Sequence, residues 1–183
     1  MDIPIPDLFT SFPPLQDNLS SETSQKQNNT ILQCLPFLSG KKSDLNYNRH
    51  GIINLDRERH ISFLHQCLKK LPPRFTAADP SRPWIFYWCL NGLATMGEDV
   101  SSYRESLLAT VRSIQNDTGG FGGGQGQMSH LACTYAIILS LSIVGGQELY
   151  DVIDRKAMWK WLGALKQPSG GFQVAINGEE DVR

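Results

Sequence analysis

Apolar residues recur along this chain in two alternating styles, and the alternation predicts its architecture. Leu55–Leu71 carries a one-sided stripe, Ile61, Leu64, Leu68 and Leu71, the spacing of a helix with one buried face. Asp56 and Glu58 at its start and Lys69 and Lys70 at its end suit the helix dipole, and Pro72-Pro73 stops it. Pro83–Met96 follows without a single charged residue and predicts a buried helix, opened by a proline already set to helical φ. Ser102–Gln115 is amphipathic again: Tyr103, Leu107, Val111 and Ile114 share one side, Arg104, Glu105 and Arg112 lie elsewhere, and Ser102 with Glu105 has capping-box spacing. His130–Val144 is apolar nearly all round, predicting burial on every side. After Gly145-Gly146, Ile153–Lys166 sets Met158, Trp161, Leu162 and Leu165 against Arg155, Lys156 and Lys160.

Between the third and fourth of these helices lies a turn in which six of the eight residues Gly119–Gly126 are glycine. Glycine admits positive φ and lets other groups come close to the backbone, so the run predicts either a crowded junction or an approach to a ligand. The turn also recurs. QNDTGGF at 115–121 is echoed by QPSGGF at 167–172, and Phe172 and Gly170 each follow their counterparts, Phe121 and Gly119, by 51 residues. Amphipathic and apolar helices alternating with a repeated turn predict an all-α fold, an α/α toroid with buried helices inside amphipathic ones. A simple solenoid accounts less well for the fully apolar members. About two and a half hairpins are present, too few to close a ring, so the expectation is an incomplete barrel over residues 51–183.

Residues 1–50 predict a mobile arm. Pro4, Pro6, Pro13 and Pro14 break early helices, and Leu19–Thr30 is largely Ser, Gln, Asn and Thr, too polar to offset the cost of ordering. Ile31–Leu38 is apolar enough for a short docking segment. A net charge of −1 with scattered lysines and arginines argues against nucleic acid as a partner. No apolar run reaches transmembrane length, and the acidic MDIPIPDLF start lacks the base of a secretory signal. The four cysteines, Cys34, Cys67, Cys89 and Cys133, form no CxxC pair and read as reduced thiols of a cytoplasmic protein.

If the apolar helices run parallel, their starts share one rim. Ser81, Trp84 and Trp88 come from one helix, His130 and Ala132 from the next, and Arg183 stands where a third would begin. Helix N-termini favour anions, and the tryptophans, four residues apart, share a face. Such a rim suits a ligand with an apolar body and an anionic end, such as a peptide carboxylate or a lipid diphosphate. Each residue also has a structural reading: the tryptophans as core, His130 as a helix cap, Arg183 as an incidental terminal residue. Glu179-Glu180-Asp181 predicts a solvated acidic turn. No Ser-His-Asp or Cys-His pattern, P-loop or metal-ligand spacing is present.

Taken together, SRPW-x-x-YW, GGFGGGxGQ-x-x-HLA-x-TYA, HISFLHQCLKKLP, YDVIDRKAMWKWLGALKQPSGGF and GEEDVR resemble the β subunits of protein farnesyltransferases, over roughly His60–Arg183. The resemblance implies a heterodimer with an α subunit, which transfers farnesyl from farnesyl diphosphate to the cysteine of proteins ending in CaaX. It implies an α/α barrel and a zinc ion that activates the acceptor thiol, with zinc ligands and diphosphate-binding residues beyond the equivalent of Arg183. By motif, Trp84 and Trp88 would form an aromatic pocket for the CaaX side chains. Ser81, His130 and Ala132 would line the pocket for its last residue, and Arg183 would lie by the isoprenoid and the carboxylate. The family usually has proline where this chain has Cys133, which bears on selectivity for that residue. The expectation is a truncated chain without catalysis of its own. Alternatives are a non-catalytic fragment that binds the α subunit, or a β subunit of a geranylgeranyl-transferring relative; the repeated GGF turn also resembles terpene cyclases.

Overall fold

A computed structural model describes residues 20–38, 55–69, 71 and 73–181. The chain divides into two compact units, Met1–Asp56 and Arg57–Arg183. In the first, helix α1 spans Glu22–Leu38, taking in most of the polar stretch Leu19–Thr30 together with the apolar Ile31–Leu38. Local bonds account for it. Ser21 and Ser24 exchange reciprocal backbone-to-hydroxyl hydrogen bonds (2.9 and 3.1 Å) at the helix start, and Glu22 pairs with Lys26 one turn on (2.7 Å). These are cap and i,i+4 contributions of the kind that support a helix without a core.

The second unit holds α2 (Arg57–Cys67), α3 (Arg82–Thr95), α4 (Arg104–Ile114), α5 (Leu131–Val144), α6 (Gln147–Asp151) and α7 (Arg155–Leu165), with a two-residue hairpin, β1 (Phe172–Gln173) and β2 (Glu180–Asp181). The five predicted helices are all there, with ends shifted by no more than a few residues. The short α6 and a 3-10 segment at Pro73–Ser81 are too brief for a periodicity to reveal. The apolar helices α3 and α5 make the main internal seam, and amphipathic α4 and α7 turn one face inward. Leu107, Val111 and Ile114 of α4 are buried, as are Trp161 and Leu165 of α7. The α4 residues close on Leu90 and Leu93 of α3 and Ile137, Leu141 and Val144 of α5, and Met158 of α7 packs against the same cluster. Helix α2 buries no residue completely; Ile61 and Leu64, with Leu68 beyond its end, rest half-buried on the core.

Two expectations are corrected. The apolar helices are not buried all round: Trp88 of α3 is 58% exposed and Tyr135 of α5 is 57% exposed, because one side of each helix forms a wall instead of meeting another helix. Nor does Ser102–Glu105 cap α4, whose start has no side-chain cap. A 3-10 turn, Ser101–Tyr103, precedes it, and the Asp99 carboxylate accepts from both the backbone N–H and the hydroxyl of Ser101 (2.9 Å each). The side chain that does bond the backbone at this helix start is therefore Asp99 and not Ser102 or Glu105.

The repeat is reproduced bond for bond. Gly119 N–H donates to Asn116 O and Gly170 N–H to Gln167 O (2.8 and 2.9 Å), while Asn116 and Gln167 N–H return bonds to Gly120 and Gly171. Gly119 and Gly170 have φ of 99° and 93°. Farther on, Gln127 N–H to Gly124 O is matched by Gly178 N–H to Ala175 O. The first turn is a crowded junction: a Cβ on Gly119 would lie 2.3 Å from Ala157 O, and one on Gly120 would lie 2.7 Å from the Trp161 ring. Phe121, set by that turn, is wholly buried in the core.

The hydrogen bonds from Ser101 hold the Asp99 carboxyl below its ordinary value of 3.8. A depressed folded value means its stabilisation is complete above the unfolded value and is lost as pH falls through the lower, folded one. Carboxyl titration by NMR should place the Asp99 midpoint below 3.8, and Ser101→Ala should return it towards that value. Gly120→Ala should cost roughly 2–4 kcal/mol from left-handed φ and overpacking against Trp161. Gly163→Ala, in α7 with open space around it, should gain up to about 1 kcal/mol; urea unfolding of both variants checks the contrast.

Candidate functional site

The inner helices start at the same end. Trp84, in the first turn of α3, meets Tyr135 of α5 with ring centroids 6.0 Å apart, and the Cys133 thiol reaches Pro80 O just before α3 (3.6 Å). Trp84 is also the hub of an aromatic cluster, tilted against Trp88 at 5.6 Å and edge-on to Tyr87 at 6.0 Å. Beside it lies a cavity of about 470 Å³ lined by Trp84, Leu131, Ala132, Tyr135 and Asp181. Its size and largely apolar lining fit a small-molecule or peptide side-chain site.

Backbone bonds position the α5 side of this cavity. His130 N–H donates to Phe121 O (3.1 Å) and Leu131 N–H to Val174 O (2.8 Å), so the start of α5 is pinned between the two repeated turns. Thr134 Oγ1 accepts from Phe121 N–H (3.0 Å). Buried Ser129 donates to Gly119 O (2.5 Å) and accepts from the Asn116 amide (2.9 Å). The glycine turn therefore serves the site indirectly, by fixing where α5 begins. Cys133 is buried, and burial pushes its thiol up; its sulfur faces the segment before α3 rather than the cavity lining.

Of the residues singled out in the sequence, Trp84 and Ala132 line the cavity together and Trp88 backs Trp84. His130 adjoins it as the cap of α5: the Ala132 N–H donates to its Nδ1 (3.1 Å), which requires an unprotonated Nδ1. Ser81 stands exposed at the start of α3 without a side-chain cap bond and is not in the lining. Arg183 lies outside the described residues. Tyr135 and Leu131 were not singled out in the sequence, and Asp181 was placed in a solvated acidic turn. Tyr135 was findable, since it follows Ala132 by three residues and so shares its helical face. Asp181 was hidden by its acidic neighbours: Glu179 and Glu180 are exposed as expected, but Asp181 is half-buried, paired with Phe172 across the hairpin. It stands 51 residues after His130, which is held by Phe121 in the same way. The repeat thus delivers the Asp181 carboxylate to the second rim position, and the cavity couples an apolar wall to one acidic edge.

A family model described as the prenyltransferase alpha-alpha toroid domain matches residues 55–183. The chain belongs to that family. It is 50% identical over 186 residues to a protein farnesyltransferase subunit beta of Pyricularia oryzae, covering 100% of this chain and 36% of the relative. With the subunit beta of Schizosaccharomyces pombe it shares 39% over 163 residues, 89% of this chain and 40% of the relative. Similarity to a geranylgeranyl transferase type-1 subunit beta of Arabidopsis thaliana is lower, 24% over 155 residues, 71% of this chain and 41% of that protein. The chain spans well under half the length of these curated relatives. No helix among the described residues is long and apolar enough to cross a membrane.

His130→Ala should destabilise the unit by about 1 kcal/mol through loss of the α5 cap, while His130→Asn, which keeps a side-chain acceptor, should recover most of it. Thermal melts of the two variants beside the parent check this.

Proposed function

We propose that this chain supplies the first part of a protein farnesyltransferase β subunit, with the Trp84–Trp88–Tyr135 wall taking the apolar portion of the farnesyl donor and the CaaX side chains. The observation that carries the reading is the aromatic cluster around the 470 Å³ cavity at the common start of α3 and α5. An isoprenoid has no hydrogen-bonding groups, so recognition must come from burying its surface against such rings, at about 25 cal/mol per Å² removed from water. Helix starts beside the wall favour the anionic end of a ligand. Ala132 and His130 stand at the edge suited to the last residue of the acceptor, with Ser81 close in sequence to Trp84. Arg183 takes its place in the proposal from the motif alone. The much higher identity to farnesyl-transferring than to geranylgeranyl-transferring relatives supports farnesyl as the donor.

The resemblance implies zinc, which when bound supplies a deprotonated, nucleophilic acceptor thiol. Among the described residues no group of three or more His, Cys, Asp or Glu could hold a metal ion. The residues here do not fit a zinc site, and the proposal assigns zinc to none of them. The reaction proposed, a new sulfur–carbon bond at the farnesyl C1 with diphosphate leaving, belongs to a complete β subunit with its α subunit in the cytoplasm. This chain's part in it is to bind and orient.

A second reading, an α-subunit-binding protein without catalysis, draws on the outer surface, where Trp159 of α7 is 79% exposed. The test separates the two. The chain is co-expressed with a farnesyltransferase α subunit, and the purified complex is titrated with a fluorescent farnesyl diphosphate analogue. Trp84→Ala should weaken analogue binding roughly tenfold or more, the loss expected for one aromatic contact surface. Trp159→Ala should leave it unchanged. Co-purification with no analogue binding by the parent complex supports the second reading and overturns the first.

A further inference from the structure

Helices α2 and α3 pack antiparallel, and their register can be read from three successive contacts. At the start of α2, Arg57 donates to Met96 O just past the end of α3 (3.0 and 2.6 Å) and pairs with Glu98 (2.7 Å). Two turns along α2, Leu64 sits in a notch left by Gly92, where a Cβ would come within 2.8 Å of Leu64 Cδ1. One turn further along α2 and one turn back along α3 bring Cys67 opposite Cys89. Both cysteines are free thiols. Cys89 is buried, and burial foremost, followed by the neighbouring Cys67, pushes its thiol up to about 12. It therefore keeps its proton, while Cys67 is only partly buried. Tyr103 closes the pocket, its hydroxyl raised by burial and by Cys89 and bonded to His65 Nδ1 (2.5 Å).

We propose that Cys67 and Cys89 are a redox-sensitive pair, which a peroxide converts into a disulfide that ties the outer helix α2 to the inner helix α3. The exposure difference orders the steps. Hydrogen peroxide reaches Cys67 first; its sulfur takes one peroxide oxygen to become a sulfenic acid, and the other oxygen leaves as water. The Cys89 sulfur then attacks the Cys67 sulfur, the sulfenic hydroxyl departs with the Cys89 proton as a second water, and the S–S bond forms. Two thiols and one peroxide give one disulfide and two waters. The high thiol value of Cys89 makes the second step slow near neutral pH and faster as pH rises, since the attacking species is the thiolate. A bridge from Cys67 to Cys89 closes a loop that includes the Pro73–Ser81 segment, and restricts the unfolded chain over that stretch.

The full chain, treated with hydrogen peroxide and then unfolded and alkylated, should fall from four labelled cysteines to two. Peptide mapping should find Cys67 joined to Cys89 with the loss of two hydrogens, while Cys133 stays alkylatable. The oxidised chain should melt at a higher temperature than the reduced one, and dithiothreitol should reverse both changes. Cys67→Ser should abolish the crosslink and leave Cys89 reduced. Recovery of Cys67 as sulfinic acid or in a bridge to another molecule, with Cys89 still labelled in the parent chain, overturns the proposal. That mapping needs no variant, so an unstable Cys89→Ser protein cannot obscure it.

Discussion

Everything in the second unit depends on how closely a backbone turn approaches the next outer helix. Where α4 ends, the chain must reverse, seat Phe121 in the core and begin α5 at the correct height, all against the flank of α7. Gly119 and Gly120 make this possible because Ala157 O and the Trp161 ring occupy the space that any Cβ would need. Close-packed interiors do not absorb such a clash by yielding. The same geometry is built again after α7 with Gly170, where Phe172 is half-buried and carries the Lys166 ammonium 5.0 Å above its ring. A repeated turn thus lays down successive hairpins at a fixed spacing.

That spacing also makes the cavity. Once two apolar helices start at the same end, their first turns face one another, and large aromatic side chains there become a wall. The sequence signature of such a wall is identical to that of a core helix, since both exclude charge. Only neighbours tell them apart. Trp84 contacts both Trp88 and Tyr135, yet those two each keep more than half their surface accessible. The hairpin after the second turn then brings Asp181 to the edge, a position set by backbone pairing with Phe172 rather than by its own chemistry.

The outer seam between α2 and α3 is held differently. It has a polar clamp at one end, Arg57 on Met96 and Glu98, a glycine notch in the middle and a pair of thiols beyond it. No residue of α2 is fully buried, so its attachment rests on half-buried side chains and these specific contacts. Regions of this kind sit at the lower end of a protein's local stability, which is where one covalent tie has the most effect.

By itself the sequence determined the kind of fold, the five principal helices and the 51-residue recurrence, because periodicity, proline and glycine act locally. It also singled out Trp84, Trp88, His130 and Ala132, whose placement at helix starts follows from the same local signals. Composition did not reveal the helix over Glu22–Leu38, whose start carries a serine exchange and one ion pair, and the spacing of Ser102 and Glu105 suggested a cap that α4 does not have. Tertiary structure decided which side of each apolar helix is wall and which is core, that Tyr135 and Asp181 join Trp84, that Ser81 stands apart from the lining, and that Cys67 meets Cys89. Those outcomes depend on contacts between residues distant in the chain, and only packing sets the register between one helix and the next.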